Sequence, residues 1–323
     1  MSFFSILLAL LIEQARPLAR GNAVHAGMRS WLRWVVRKLD AGETSHGWLA
    51  WGFAVLLPSG IALLIYWLLC QFVGWPLAML WNVAVLYVTL GFRQFSHHFT
   101  AIRDALEAGN EEEARRLLAE WRQIDASELP PREVVRHVIE FSVLAAHRHV
   151  FGVLSWFIVL AVLGLGPAGA VLYRLAEFVT RYWPHVSRRQ APSVSDAACG
   201  AASRAWSWVD WLPARITALG FAVVGSFEDA VDNWRRYESL PESEGVGGND
   251  GLIVAATAGA INVRLGTTAM AQAETQAQSD MPAASARHEP QLAHLRSIVG
   301  LVWRSVVLWM LLLALLTLAR LIG

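Results

Sequence analysis

The residue types able to do chemistry gather in two polar stretches of the chain. The first holds His97, His98, His137, His147 and His149 together with Glu133 and Glu140. On a continuous helix Glu133, His137 and Glu140 fall at i, i+4 and i+7, one face, a spacing that lets imidazole and carboxylate converge. Di-metal bundles built from carboxylate–histidine helices also need a second helix with a matching motif. The sequence offers none, so the favoured reading is a solvated helix face whose histidines meet the headgroup region, and no metal ligand set is assigned.

The second stretch runs Asn249-Asp250-Gly251, then Ala255-Ala256-Thr257-Ala258-Gly259-Ala260, then Val263-Arg264-Leu265-Gly266. It reads as a turn leading into a small-residue helix that ends at glycine. Small side chains allow close approach of another backbone or of a ligand, with helix packing the favoured use. Arg264 can hold a phosphate or carboxylate through its planar fork. The stretch lacks the Gly-x-x-x-x-Gly-Lys pattern of a nucleotide-binding loop, and neither a Ser-His-Asp order nor a nucleophile elbow stands out.

The elements that must position these residues are helices in lipid. Of 323 residues 55% are hydrophobic and only 16% charged, against about 45–50% and 25% in an ordinary soluble domain. Many of the 16 Trp stand where apolar and polar stretches meet, the depth an amphipathic ring prefers in a bilayer. A net charge of +1 without a basic surface argues against a nucleic-acid partner. Cys70 and Cys199 are too few for a disulfide framework or a zinc site.

Residues 48–72 carry no charge and are long enough to cross the bilayer, with a kink expected at Pro58. Residues 75–92 form a second span, joined through the Val73-Gly74 turn. In residues 150–173, Gly164, Gly166, Pro167 and Gly169 break the apolar run, leaving one crossing or a re-entrant pair open. Residues 298–318 form the last span, with Arg304 as an interface anchor. The apolar run at residues 3–12 is too short to span and lacks the flanks of a cleaved signal peptide, so an interfacial helix is expected.

Residues 13–47 hold six basic against three acidic residues, which favours the cytoplasmic side. The predicted fold is therefore an all-α, polytopic integral membrane protein with a cytoplasmic helical loop domain. Its expected divisions are an interfacial helix and basic segment (1–47), a transmembrane hairpin (48–92), the cytoplasmic helical domain (93–149), membrane segments with a linker at 187–202 (150–224), a polar loop with the 249–266 motif (225–297) and a C-terminal span (298–323). A further linker is expected at 270–290.

Over nearly its whole length the sequence resembles the CobD/CbiB membrane proteins of cobalamin biosynthesis, whose relatives include AmpE. The resemblance rests on Gly166-Pro167-Ala168-Gly169-Ala170-Val171-Leu172-Tyr173-Arg174, on Trp211-Leu212-Pro213-Ala214-Arg215, on the charged run from Asp104 to Leu118, and on the Asn-x-Gly and Ala-Gly-Ala…Val-Arg-Leu-Gly pattern from Asn249 to Gly266. It implies an inner-membrane step that joins aminopropanol, or its phosphate, by an amide bond to adenosylcobyric acid, with magnesium and ATP as implied cofactors and a corrinoid as substrate.

Carried over by position, the family's Gly-Arg-Asp-Thr stands here as Gln123-Ile124-Asp125-Ala126, and its acidic helix keeps Glu140 while Leu144, Ala145 and Arg148 replace the other polar groups. The Asn-Thr-x-Asp positions hold Glu177, Phe178 and Thr180. The resemblance thus implies Asp125 and Glu140 as catalytic carboxylates, and Asn249, Gly251, Arg264 and Gly266 as substrate contacts. Two functions stay open. One is a cobinamide-phosphate-synthase-like ligase, active or degenerate. The other is an AmpE-like, non-enzymatic regulator linked to β-lactamase induction, meeting a protein partner through residues 93–149. Either is expected to be a multi-pass protein of the bacterial inner membrane.

Overall fold

A computed structural model of the chain describes residues 2–16, 23–122, 124–189, 194–240, 247–266 and 288–322. Among them the elements are α1 Ser2–Ala15, α2 Ala23–Leu39, α3 Thr44–Phe72, α4 Trp75–Thr89, α5 Phe92–Glu107, α6 Glu111–Arg122, α7 Pro131–Ala146, α8 Gly152–Val162, α9 Ala168–Arg189, α10 Asp196–Val209, α11 Trp211–Val224, α12 Phe227–Ser239, α13 Gly248–Ala260 and α14 Leu292–Ile322. One isolated parallel bridge, Val263 to His288, is the only extended pairing among the described residues. The protein is an all-α membrane protein. Lipid offers no water to satisfy backbone polar groups, and a helix satisfies them internally.

Among the described residues three helical runs are long and apolar enough to cross a membrane: Thr44–Phe72, Pro131–Val162 and Leu292–Ala319. The second begins inside the stretch read from sequence as the 93–149 loop domain, because α7 continues through a π-helical turn, His147–Phe151, into α8. The hairpin's second member, α4, is apolar but has 15 residues, short of the roughly 20 that a straight crossing takes.

The chain forms two compact units, each made of two separate stretches. Unit 1 comprises Met1–Phe92 and Arg148–Pro213. In it α2 folds back along α3, and the Trp31 indole donates to the Ala54 carbonyl at 3.3 Å. Leu32, Val35, Ala54 and Val55 from this pair meet Ala176, Val179 and Trp183 of α9 and Ala198 and Ala202 of α10. Asp40, in the α2–α3 turn, accepts the Ser195 N–H at 2.8 Å and its hydroxyl at 2.6 Å. Ser195 in turn caps α10 by accepting the Ala198 N–H. Residues 187–202, expected as a linker, are helical at both ends, closing α9 and opening α10, with 190–193 outside the described residues.

The apolar stretch after residue 150 is not one crossing. α8 stops at Val162, the chain turns through Gly164 and Gly166 at positive φ (78° and 56°), and α9 returns against α8. Gly169 lies so close to α8 that a Cβ would fall on the Trp156 carbonyl. α1, expected to lie at the interface, packs on α4 in this unit, burying Ile6 and Ala9.

Unit 2 comprises Arg93–His147 and Ala214–Gly323. Phe99, Ile102 and Leu106 on α5 are buried, as their spacing predicts. Asn110 caps α6 by accepting the Glu113 N–H, and Trp121 packs edge-on against Phe141 of α7, 4.6 Å between centroids. The 225–297 polar loop contains α12 and α13, packed on each other. Of the expected 270–290 linker, 270–287 lie outside the described residues.

α13 begins at Gly248 and so absorbs the predicted Asn249-Asp250-Gly251 turn, and it ends earlier than the predicted glycine. Asn262 takes the left-handed conformation at φ 54°. Its N–H bonds to Gly259 O, and the Val263 N–H bonds to Ala258 O at 3.0 Å, a Schellman closure with asparagine in the usual glycine place. The small residues serve helix packing: Gly251 and Gly259 face α12, where added Cβ atoms would fall on the Tyr237 ring and the Asp229 carbonyl.

Gly259→Val forces the α12 backbone away, and overpacking of this kind costs about 1–3 kcal/mol. Thermal unfolding in detergent is expected to shift down by several degrees. Gly60→Ala, on α3 with open space at its Cβ, should leave the midpoint unchanged or slightly higher.

Candidate functional site

Glu140 and Gly266, 126 residues apart, meet in unit 2. The Gly266 N–H donates to Glu140 Oε1 at 2.8 Å, while Arg136, one turn earlier on α7, donates Nη1 to the Gly266 carbonyl at 2.6 Å. Both main-chain groups of Gly266 are therefore held by a single helix face. Arg136 also reaches Glu140 at 3.3 Å and Glu133 at 2.5 Å, so the three charges lock one another along i, i+3 and i+4 steps. Gly266 itself sits at φ 105°, a conformation that costs an L side chain about 1–2 kcal/mol. Its identity is thus set by backbone geometry.

The stretch leading to Gly266 is pinned at its other end too. The Arg264 N–H donates to the His288 carbonyl at 3.0 Å and the His288 N–H to the Asn262 carbonyl at 3.2 Å, with Val263 and Leu265 buried. Arg264 thus rises from a backbone held on both sides. Next to the clamp, His137 Nδ1 lies 2.8 Å from Arg122, whose guanidinium covers the Phe141 ring at 5.4 Å.

The other sequence-derived residues lie elsewhere in unit 2. Asn249 and Gly251 stand in the first turn of α13, whereas Arg264 and Gly266 follow its end. Thirteen residues of helix put roughly 18 Å between those ends. Around Asn249 the Tyr237 hydroxyl donates to Gly248 O at 2.9 Å, and burial together with the Asp250 charge pushes the Tyr237 phenol up. Asp125 is exposed in the α6–α7 loop, where its Oδ1 accepts the Ser127 hydroxyl at 2.6 Å and the Ser127 N–H at 3.1 Å. These bonds hold its carboxyl below the usual range.

Magnesium, implied by the resemblance, finds no ready cage here. Among the described residues no three His, Cys, Asp or Glu side chains converge. Asp125 is committed to Ser127, and Glu140 to Gly266 and Arg136.

Three features escaped the sequence reading. Arg136 was legible as the partner of Glu133 and Glu140 by helical spacing, but its hold on Gly266 spans 130 residues. The pairing of Tyr237 with Gly248 and Gly251 left no local signal. In unit 1, buried polar groups bond to Tyr173 and Arg174 of the 166–174 motif, which had no assigned role. The Tyr173 hydroxyl donates to Asp210 Oδ1 at 2.8 Å, and Arg174 binds Glu177 at 3.1 Å and His149 at 2.8 Å. Glu177 also pairs with Arg181. Tyr173, Glu177 and Asp210 are buried, where unpaired charges would be costly.

The helical fold and the membrane-length runs define an all-α membrane protein, in which α7, the first half of the Pro131–Val162 run, pins Gly266. The family described as CobD/Cbib protein matches residues 3–302, and the chain belongs to that family. It is 33% identical over 274 residues to the cobalamin biosynthesis protein CobD of Stutzerimonas stutzeri, covering 84% of this chain and 82% of that one. It is 34% identical over 184 residues to the protein of the same name from Chromobacterium violaceum, covering 57% and 54%. A Leptospira interrogans protein, also so named, is 27% identical over 218 residues, 64% of each chain. No solved structure matches the chain.

Removing the Glu140 carboxylate leaves the Gly266 N–H without its acceptor and takes one of the two carboxylates from Arg136, a loss of about 1–3 kcal/mol. In Glu140→Ala, hydrogen exchange of the peptide containing Gly266 is expected to rise at least about tenfold while the α12–α13 peptides keep their protection. Unchanged exchange would mean that the clamp does not hold this segment.

Proposed function

We propose that this chain serves cobalamin biosynthesis in the bacterial inner membrane, joining aminopropanol or its phosphate through an amide bond to adenosylcobyric acid. Membership of the CobD/CbiB family and relatives named for that pathway support the pathway assignment. The observation that carries the site is the clamp of Glu140 and Arg136 on Gly266, which fixes the backbone from which Arg264 rises. In this reading Arg264 binds a phosphate or carboxylate of the substrates through its two parallel N–H donors. Glu140 acts as a positioning residue through Gly266. Asp125, exposed on its loop, meets the ammonium of the incoming amine, and Asn249 and Gly251 contact a more distant part of a large corrinoid.

Amide formation needs the carboxylate to carry a leaving group, which the ATP implied by the family would supply as phosphate, an amine that has given up its ammonium proton, and stabilisation of the negative charge developing on the carbonyl oxygen, a task suited to a fixed guanidinium. The basic excess of residues 13–47 supports a cytoplasmic placement of that segment, and of residues 93–130 with it when α3 and α4 cross as a hairpin. One observation favours the alternative of a non-enzymatic, AmpE-like regulator: Asp125 and Glu140 both have structural partners. That reading places a protein partner on residues 93–149.

The two readings separate on corrinoid titration of the purified, detergent-solubilised protein. Adenosylcobyric acid is expected to bind, and Arg264→Ala to weaken it about tenfold or more, the loss of a charged hydrogen bond of roughly 1.5–3 kcal/mol. Arg264→Lys should recover part of the affinity. In cells lacking their own copy of the gene, Arg264→Ala should fail to restore corrinoid synthesis. A folded sample that binds neither adenosylcobyric acid nor adenosylcobinamide would eliminate the enzymatic reading and direct attention to a partner of residues 93–149.

A further inference from the structure

Unit 1 holds a cavity of about 450 Å3 between α2, α3, α4 and α9, within the roughly 300–1,000 Å3 range of small-molecule sites. Its walls are almost wholly apolar. Pro58 and Ile65 of α3 lie two turns apart along one side, and Trp81 and Val88 of α4 line the facing one. The Trp81 indole N–H is satisfied by the Ala62 carbonyl at 3.0 Å, so that ring presents only its apolar body. α3 is one of the three helices of membrane-spanning length.

The polar groups lining the cavity include His25 of α2 and Arg174 of α9. Arg174 is 9% exposed and shares its carboxylate partner: Glu177 pairs with both Arg174 and Arg181. Arg174 and Arg181 thus share one carboxylate, and among the described residues the cavity lining includes Arg174 and His25 but no Asp or Glu. Arg29 stands one turn beyond His25, on a helix that also carries Arg33, Arg37 and Lys38 toward its end. A basic amphipathic helix of this kind attracts anionic lipid.

An apolar cavity whose lining, among the described residues, holds a buried arginine and no carboxylate matches a ligand with an apolar chain and an anionic end. We propose that unit 1 binds one anionic phospholipid, with an acyl chain between α3 and α4 and its phosphate toward Arg174, His25 and Arg29. The site is separate from the clamp at Gly266 and does not depend on the corrinoid reading. It also gives a use to Arg174, the last residue of the 166–174 motif.

Gly27 offers a clean probe. It lines the cavity, and a Cβ placed there meets nothing within 4 Å, so Gly27→Phe adds a ring at the cavity wall with no clash at its first carbon and improves helix propensity. Native mass spectrometry of the delipidated full chain, titrated with phosphatidylglycerol or phosphatidylcholine, reads the occupancy. Phosphatidylglycerol is expected to bind one per chain and at least tenfold more tightly than phosphatidylcholine. Gly27→Phe should abolish this binding at an unchanged or higher unfolding midpoint. Arg29→Gln should narrow the preference without removing phosphatidylcholine binding. Equal binding of the two lipids overturns the charge assignment, and full binding by folded Gly27→Phe overturns the cavity as its place. Displacement of the bound lipid by inorganic phosphate alone would show that only an anion is recognised and would overturn the chain assignment.

Discussion

Backbone hydrogen bonding without water is the constraint from which the rest of this structure follows. Across apolar stretches of membrane length each N–H and C=O must find a partner inside the chain, and the helix supplies it locally. The places where helices stop are therefore the informative ones, because each stop must provide its own remedy. At Gly164 and Gly166 the chain reverses through two left-handed glycines, with the Leu165 N–H closing back onto Leu160 O. At Asn262 a left-handed asparagine lets two amides return to Gly259 and Ala258. Between α7 and α8 the helix does not stop at all but passes through a π turn, which keeps the hydrogen-bond ladder continuous from polar Glu133 into apolar Phe157.

The same constraint explains how charge is tolerated. In unit 1 the Tyr173 hydroxyl bonds to Asp210, some 35 residues away, and Arg174 bonds to Glu177, all four groups being buried. Isolated, any of them would carry a large desolvation cost. In unit 2, Arg136 is not free to serve as a simple surface charge, since it divides its donors among Glu133, Glu140 and the Gly266 carbonyl. Charge here fixes backbone: α7 holds a glycine loop that no side-chain packing could grip, because glycine has no side chain to pack.

Close helix packing and the proposed chemistry make different demands on one segment. Eight of the thirteen residues of α13 are Gly, Ala or Thr, and Gly251 and Gly259 bring its backbone against α12. That close fit is what turns the 249–266 stretch into a rod with one end at Asn249 and the other at the clamp. A large substrate such as a corrinoid suits contacts spread over this length, whereas a small substrate would engage one end only.

By itself the sequence determined the helical class, the membrane location, the apolar spans at 48–72 and 298–318, the helical faces of α5 and α6, and the family. All of these follow from composition, periodicity and motif, which are local properties. It also marked Gly266 and Glu140, one through its pattern and the other through its helix position, without linking them. Only the tertiary structure decided that they bond, that Asn249 and Arg264 stand at opposite ends of α13, that residues 131–162 form one helical run, and that the Tyr173 hydroxyl bonds to buried Asp210. The physical reason is range. Helix formation is decided over a few turns, while a hydrogen bond between residues 126 apart depends on how several helices pack, and no residue type or spacing encodes that.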